Sequence, residues 1–276
     1  MVTQEQRRRQ LAREKFLRQQ QRRTSARRKA RMRNSVIASV LGVIVIGSVA
    51  LYTTGVLKND GKKSSAASDT TPSASPSKAP SKAPDPCQKP AAGSVQKLSW
   101  KSEPSMTIDT SAKYTMTLAT TCGDIGIALK TSAAPHTVNS FDFLAGKGFF
   151  DHTKCHRLTT NGIYVLQCGD PTGTGSGGPG YTIPDENLKD KSLKGNVYPA
   201  GTVAMANTGQ KHTGGSQFFL VYQDSQLPPS YTPFGTIDAG GLKVLKKIAA
   251  AGESTGQGDG APNATVVINK ATVTKS

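Results

Sequence analysis

The chain has 276 residues and a formal net charge of +17, a balance that suggests a polyanion or a membrane surface as partner. The charge is unevenly placed. Residues 1–33 carry 13 Lys+Arg against Glu5 and Glu14, net +11, while from residue 101 onward 15 Lys+Arg meet 13 acidic residues, net +2. This excludes a basic folded domain and assigns the positive charge to an N-terminal arm, residues 1–34.

Val36 to Leu57 follows as 22 residues without a charge. At 1.5 Å per residue a helix of that length reaches roughly 33 Å, enough to cross a ~30 Å hydrocarbon core. A single transmembrane helix is therefore expected over 35–57. The basic block before it implies a cytoplasmic N-terminus and an extracytoplasmic remainder, a single-pass cell-membrane protein. Ser48-Val49-Ala50 leaves open a cleaved signal peptide. The arm also leaves open polyanion binding without sequence preference, although a basic run abutting an apolar span is first a topology signal and a contact for anionic lipid heads. Residues 58–97, with Pro72, Pro76, Pro80, Pro84 and Pro86 among Ser, Ala and Lys, read as a solvated linker that cannot bury enough apolar area to fold.

Residues 98–276 have the length of one domain. Tyr114, Met116 and Leu118 alternate with polar residues, and Ile125, Ile127 and Leu129 do so again, predicting a hairpin with one buried face. Val138, Phe141, Leu144 and Ala145 fall at helical spacing, ended by Gly146 and Gly148. Short apolar runs at Thr202–Ala206, Gln217–Tyr222 and Phe234–Ile237 predict strands. A second helix is expected over Leu242–Ala251, with Leu242, Leu245, Ile248 and Ala249 on one side, and a last strand over Thr265–Asn269. Many short strands and only two helices favour a mainly β barrel over a βαβ fold.

The stretch CHRLTTNGIYVLQCGD, Cys155 to Asp170, stands at the centre of the domain. Asn161-Gly162 signals a type I′ hairpin, because both turn residues must tolerate positive φ. Folding about it pairs Cys155 with Cys168, His156 with Gln167 and Arg157 with Leu166. Arg157 is the only arginine after Arg33, so a planar, multi-donor cation stands at one place in a domain whose other cations are lysines. Four cysteines in an extracytoplasmic segment predict disulfides: Cys155–Cys168 from the register, since directly opposed positions come close enough, and Cys87–Cys122 by elimination.

Other patterns are weaker. Gly173-x-Gly175-x-x-Gly178 matches a dinucleotide fingerprint, but Pro179-Gly180 follows where a helix should open. No Gly-x-Ser-x-Gly elbow surrounds Ser176 or Ser216. His152 and His156 have zinc spacing only on a helix, and His156 is a strand residue. No metal and no cofactor is implied.

The motifs CHRL, GIYVLQCGD, GTGSGGPGY, VAMAN, GGSQFF and PFG, in this order from about Tyr114 to about Val273, resemble the cyclophilin family of peptidyl-prolyl cis-trans isomerases, here in a membrane-anchored bacterial, actinobacterial-like form. The resemblance implies a closed eight-stranded antiparallel barrel capped by two helices. It implies Arg157 as the catalytic arginine with His156 beside it. It further implies a substrate site of Tyr164, Val165, Gln167, Ala206, Asn207, Gln217, Phe219, Leu227 and Tyr231, with Phe219 in the proline pocket. The partners implied are proline-containing polypeptides, with no specific nucleic acid, and a monomeric catalytic domain. Gln226 stands where many eukaryotic members carry a tryptophan that contacts cyclosporin. Two roles remain: an isomerase assisting folding outside the cytoplasm, or a module of the same fold that binds proline peptides with little turnover.

Overall fold

A computed structural model describes residues 84–276. Its strands begin where the alternation is strongest. β1 (Tyr114–Thr120) and β2 (Gly123–Leu129) pair antiparallel from Tyr114↔Leu129 to Thr120↔Gly123. The expected face is the buried one: Tyr114, Met116, Leu118, Ile125, Ile127 and Leu129 all lie in the core.

Helix α1 (Pro135–Gly146) has proline in its first turn and no side-chain cap of its own. The carboxylate of Glu186 supplies the missing acceptors, taking His136 N–H at 3.0 Å, Thr137 N–H at 2.9 Å and Thr137 Oγ1 at 2.8 Å. On its buried side Phe141 meets Phe150, Phe218 and Phe234 at ring separations of 5.3, 5.4 and 4.5 Å. Helix α2 (Ala239–Ala250) starts three residues before the expected Leu242, because Asp238 caps it by accepting from Gly241 N–H at 2.6 Å. Gly241 lets it approach β2: a Cβ there would lie 3.0 Å from Ile125 Cγ2.

The remaining strands are β3 (Thr153–Lys154), β4 (Arg157–Thr159), β5 (Val165–Cys168), β6 (Val197–Tyr198), β7 (Thr202–Met205), β8 (Phe218–Val221), β9 (Ser225–Gln226), β10 (Pro233–Ile237), β11 (Asp259–Gly260) and β12 (Val267–Lys275). Where eight barrel strands were expected, ten form one curled antiparallel sheet in the order β11-β4-β5-β8-β7-β10-β2-β1-β12-β3, and β6 pairs with β9 apart. The count rises by two because residues 153–159 are split, β3 pairing with β12 and β4 with β5, and because the short β11 adds an end strand on β4. β12 starts later and runs further than the expected 265–269, since it lies along the whole of β1, Tyr114↔Lys275 to Thr120↔Ile268.

The expected linker ends too late. Cys87 is disulfide-bonded to Cys122, Gln88 N–H donates to Thr121 O at 2.8 Å, and Ala91 N–H donates to Asn269 Oδ1 at 3.0 Å. Trp100 N–H then donates to Pro179 O at 2.8 Å, and its ring meets Phe143 edge-on at 5.0 Å. Composition alone did not expose this strap, because its attachments lie in distant parts of the chain. The arm, the apolar span 35–57 and the linker up to residue 83 lie outside the described residues. Among the described residues no helix is long and apolar enough to cross a membrane.

Candidate active site

The central hairpin forms, with a different turn and a shifted register. Five residues, 160–164, join β4 to β5. Only Gly162 of the Asn-Gly pair takes positive φ, at +74°, so the turn is not type I′. Tyr164 is held away from β4: its N–H donates to Ser225 Oγ at 2.8 Å and its carbonyl accepts from Tyr222 N–H at 3.1 Å. Arg157 consequently stands opposite Gln167, not Leu166, and Leu158 opposite Leu166. At the other end the expected pairing survives. Cys155 and Cys168 form a disulfide with a Cα–Cα distance of 4.1 Å, and His156 N–H donates to Gln167 O at 3.1 Å. His156 and Arg157 thus both oppose Gln167, the two-against-one count of a β-bulge, which re-aims the side chains that follow it.

From the bulge the Arg157 side chain enters a chain of hydrogen bonds. Nη1 donates to Gln167 Oε1 at 3.2 Å, Gln167 Nε2 to Gln217 Oε1 at 2.9 Å, and Gln217 Nε2 to Gly177 O at 2.9 Å. On its other edge Nε and Nη2 donate to the two carboxylate oxygens of Asp259, each at 2.8 Å. These bonds hold the guanidinium pKa above its ordinary value, against burial, and pull Asp259 below the usual carboxylate range. Asp259 escaped the sequence reading. It lies 102 residues away in a glycine-rich loop, with no periodicity to single it out.

A second apolar cluster follows from strand alternation. β5 and β8 pair Val165↔Val221 and Gln167↔Phe219, and β7 adds Ala204 opposite Phe219. On these three strands Leu166, Cys168, Phe218, Leu220, Val203 and Met205 join the main core. Their neighbours Val165, Ala204, Phe219 and Val221 form a second, separate cluster with Tyr198, against which Ile163, Leu193, Ala206, Leu227 and Tyr231 pack. Phe219 is therefore not part of the main core. Tyr231 closes on it edge-to-face at 5.4 Å, and Tyr198 Oη donates to Tyr231 O at 2.8 Å to fix that wall.

The expected residues divide accordingly. Val165 and Phe219 belong to this second cluster and Ala206, Leu227 and Tyr231 pack on it, while Gln167 and Gln217 connect the same strands to Arg157. Asn207 shapes the adjoining loop, donating from Nδ2 to Ser230 O at 2.8 Å and accepting Gly209 N–H at 3.0 Å. Tyr164 packs against the main core and meets Tyr222 edge-on at 5.9 Å, while Ile163 packs on the second cluster. The His156 ring lies beside Gly175, outside the Arg157–Gln167–Gln217 chain, with neither nitrogen hydrogen-bonded among the described residues. Burial depresses its pKa.

The glycine pattern 173–178 also finds its explanation. The loop wraps the fully buried Asp170, whose Oδ1 accepts Thr172 N–H at 2.7 Å and whose Oδ2 accepts Thr174 N–H at 3.0 Å and Gly175 N–H at 2.6 Å. A Cβ on Gly177 would run into that carboxylate. Burial opposes the charge, but the hydrogen bonds prevail and bring the Asp170 pKa to about 2. Between this loop, Asn207, Gln217 and the strap residues Lys101–Glu103 runs a groove of about 1100 Å³.

A buried apolar cluster, an arginine held from two sides and a groove thus lie close together on one part of the sheet. The chain belongs to the cyclophilin type peptidyl-prolyl cis-trans isomerase family, whose description matches residues 115–273. It is 53% identical over 165 residues to the probable peptidyl-prolyl cis-trans isomerase B of Mycobacterium leprae, covering 57% of this chain and 56% of that one. To the protein of the same name in Mycobacterium tuberculosis it is 50% identical over 165 residues, covering 57% and 53%. To peptidyl-prolyl cis-trans isomerase B of Bacillus subtilis it is 43% identical over 128 residues, covering 45% and 82%. The chain thus spans about half the length of its mycobacterial relatives. A solved cyclophilin type peptidyl-prolyl cis-trans isomerase of Cryptosporidium parvum superposes with a TM-score of 0.50 at 26% identity, covering 59% of this chain and 99% of that one.

Proposed function

We propose that the chain is a peptidyl-prolyl cis-trans isomerase of exported polypeptides, a membrane-anchored form of the actinobacterial kind that assists folding outside the cytoplasm. The observation that carries the activity is the placement of Arg157, tied through Gln167 and Gln217 to the sheet face that carries the Phe219 cluster, which we read as the proline pocket. An X-Pro bond rotates over a barrier of ~18–20 kcal/mol because resonance gives its C–N bond double-bond character. Uncatalysed, it takes ~10–100 s. The pocket grips the proline ring, and the neighbouring residues lie along the groove. As the amide twists, its nitrogen becomes pyramidal and basic, and the Arg157 N–H groups donate to the twisted amide. Donation available only in the twisted state lowers the barrier without tightening ground-state binding. A binding module of little turnover has less use for an arginine fixed from two sides.

The anchor reading rests on the charge asymmetry about the uncharged span 35–57. The catalytic domain is read as monomeric. We also read the curled sheet as a closed barrel, because residues 153–159 contribute both the end strand β3 and the penultimate strand β4 at its opposite end. Exchange spectroscopy on a proline peptide tests the activity: the full chain at micromolar concentration should raise the cis-trans exchange rate well above background, and a bound peptide with an unchanged rate favours the binding module. Protease added to intact cells should remove the C-terminal domain and spare residues 1–33; a protected domain, soluble after lysis, rejects the export reading.

A further inference from the structure

Asp259 is joined to Arg157 more closely than any expected site residue, yet it is far away in sequence. β11 pairs with β4 in the register Asp259↔Thr159, and Arg157 lies two residues from Thr159 on the same strand face, so Asp259 and Arg157 are diagonal cross-strand neighbours. Both carboxylate oxygens are engaged at 2.8 Å, one by Nε and one by Nη2. Isolated exposed ion pairs contribute little, but a fork-to-fork arginine–carboxylate pair also fixes an orientation.

The loop that presents Asp259 is itself built. The buried carboxylate of Glu253 accepts Thr255 N–H at 2.6 Å and Gly258 N–H at 2.8 Å. Thr255 Oγ1 donates to Asp259 O at 3.2 Å, and Gly258 O accepts Thr160 N–H at 2.9 Å, tying the loop to the central hairpin. A guanidinium has five N–H donors. Asp259 takes one from Nε and one from Nη2, and Gln167 takes one from Nη1, which leaves two for a substrate.

We propose that Asp259 is a positioning residue of the isomerase: clamped between Asp259 and Gln167, the Arg157 guanidinium is held in one plane with two N–H groups free for the twisting amide. Asp259 does not itself touch the substrate. The inference rests on the isomerase reading. Its effect should fall on turnover, because a misplaced catalytic group weakens the transition state more than the bound peptide.

The test is a double-mutant cycle in the full chain, measuring kcat and KM by exchange spectroscopy with melting temperature alongside. Asp259→Asn keeps the shape and loses the two-oxygen acceptor. It should lower kcat about 10-fold, at the lower edge of what a misplaced group entails, with KM within about twofold and melting within a few degrees. Asp259→Glu should recover part of the loss. In an Arg157→Lys background, where no fork remains to orient, Asp259→Asn should have no further effect. Unchanged kcat in Asp259→Asn overturns the proposal, as does an equal fractional loss in both backgrounds, the mark of a merely structural role. No turnover by the wild-type chain overturns the isomerase reading as well, so the two failures are told apart.

Discussion

Replacing Arg157 by alanine separates catalysis from folding. The guanidinium makes three hydrogen bonds, two to Asp259 and one to Gln167. Its side chain is 38% exposed and that of Asp259 56%, so their pairing is screened and adds about 0–1 kcal/mol to stability. Gln167 keeps its bond to Gln217 and can turn its freed oxygen to water. The melting temperature should therefore fall by no more than about 2–4 °C in a domain of this size. Turnover should fall far more. Loss of one preorganised donor to a developing charge costs about 10²–10³ in rate, or about 2.7–4 kcal/mol. Arg157→Lys should rescue poorly, because an ammonium cannot span the Asp259 carboxylate and Gln167 as a planar fork does. Exchange spectroscopy on a proline peptide and thermal melting of Arg157→Ala and Arg157→Lys decide the matter. A folded Arg157→Ala protein with near wild-type turnover would refute the mechanism together with the site.

Phe219→Ala should instead lose stability and affinity together, since truncating a buried aromatic costs about 3–5 kcal/mol; urea unfolding with KM measurement checks this, and a large KM rise at full stability contradicts it. Opening Cys155–Cys168 by reduction or by the double alanine variant should destabilise by about 3 kcal/mol on the chain-entropy account, and lower kcat by loosening the His156–Arg157 bulge; peptide mapping without reductant should first find both cysteines paired. Asp170 has its pKa depressed to about 2 from an ordinary 3.8, so its contribution is complete above the ordinary value and disappears as pH falls through the depressed one. The stability gap between the wild-type chain and Asp170→Asn should narrow by about 2 kcal/mol between pH 5 and pH 2, and a gap independent of pH removes the role given to that carboxylate.

What the sequence made legible was local. Alternation at Tyr114–Leu118 and Ile125–Leu129 placed the first hairpin and its buried face, because period-two patterning is a direct imprint of burial. Arg157 stands out as the one arginine after Arg33, whereas Gln167, Gln217 and Phe219 are marked only by the resemblance to a known family, and both disulfide pairings follow the register and the count. The misreadings are long-range. Ser225 and Tyr222, some 60 residues away, hold Tyr164 off β4 and lengthen the turn of the hairpin. Asp259 reaches Arg157 only because β11 lies on β4. Residues 88–97 read as linker although Cys87 is expected to be paired, since their composition conceals backbone attachments such as Ala91 N–H to Asn269 Oδ1.

The Cys87–Cys122 bond also decides where a mechanical pull enters the molecule. Tension on the chain ahead of residue 87 passes through the disulfide into the turn between β1 and β2, which is braced on either side by β12 and β10. Residues 88–121 are bypassed, so the segment that places Trp100 against Phe143 and Lys101 at the groove stays slack under load. With the bond opened, the same tension runs along that segment and peels Trp100 from Pro179, distorting the groove wall before any strand of the sheet is drawn apart.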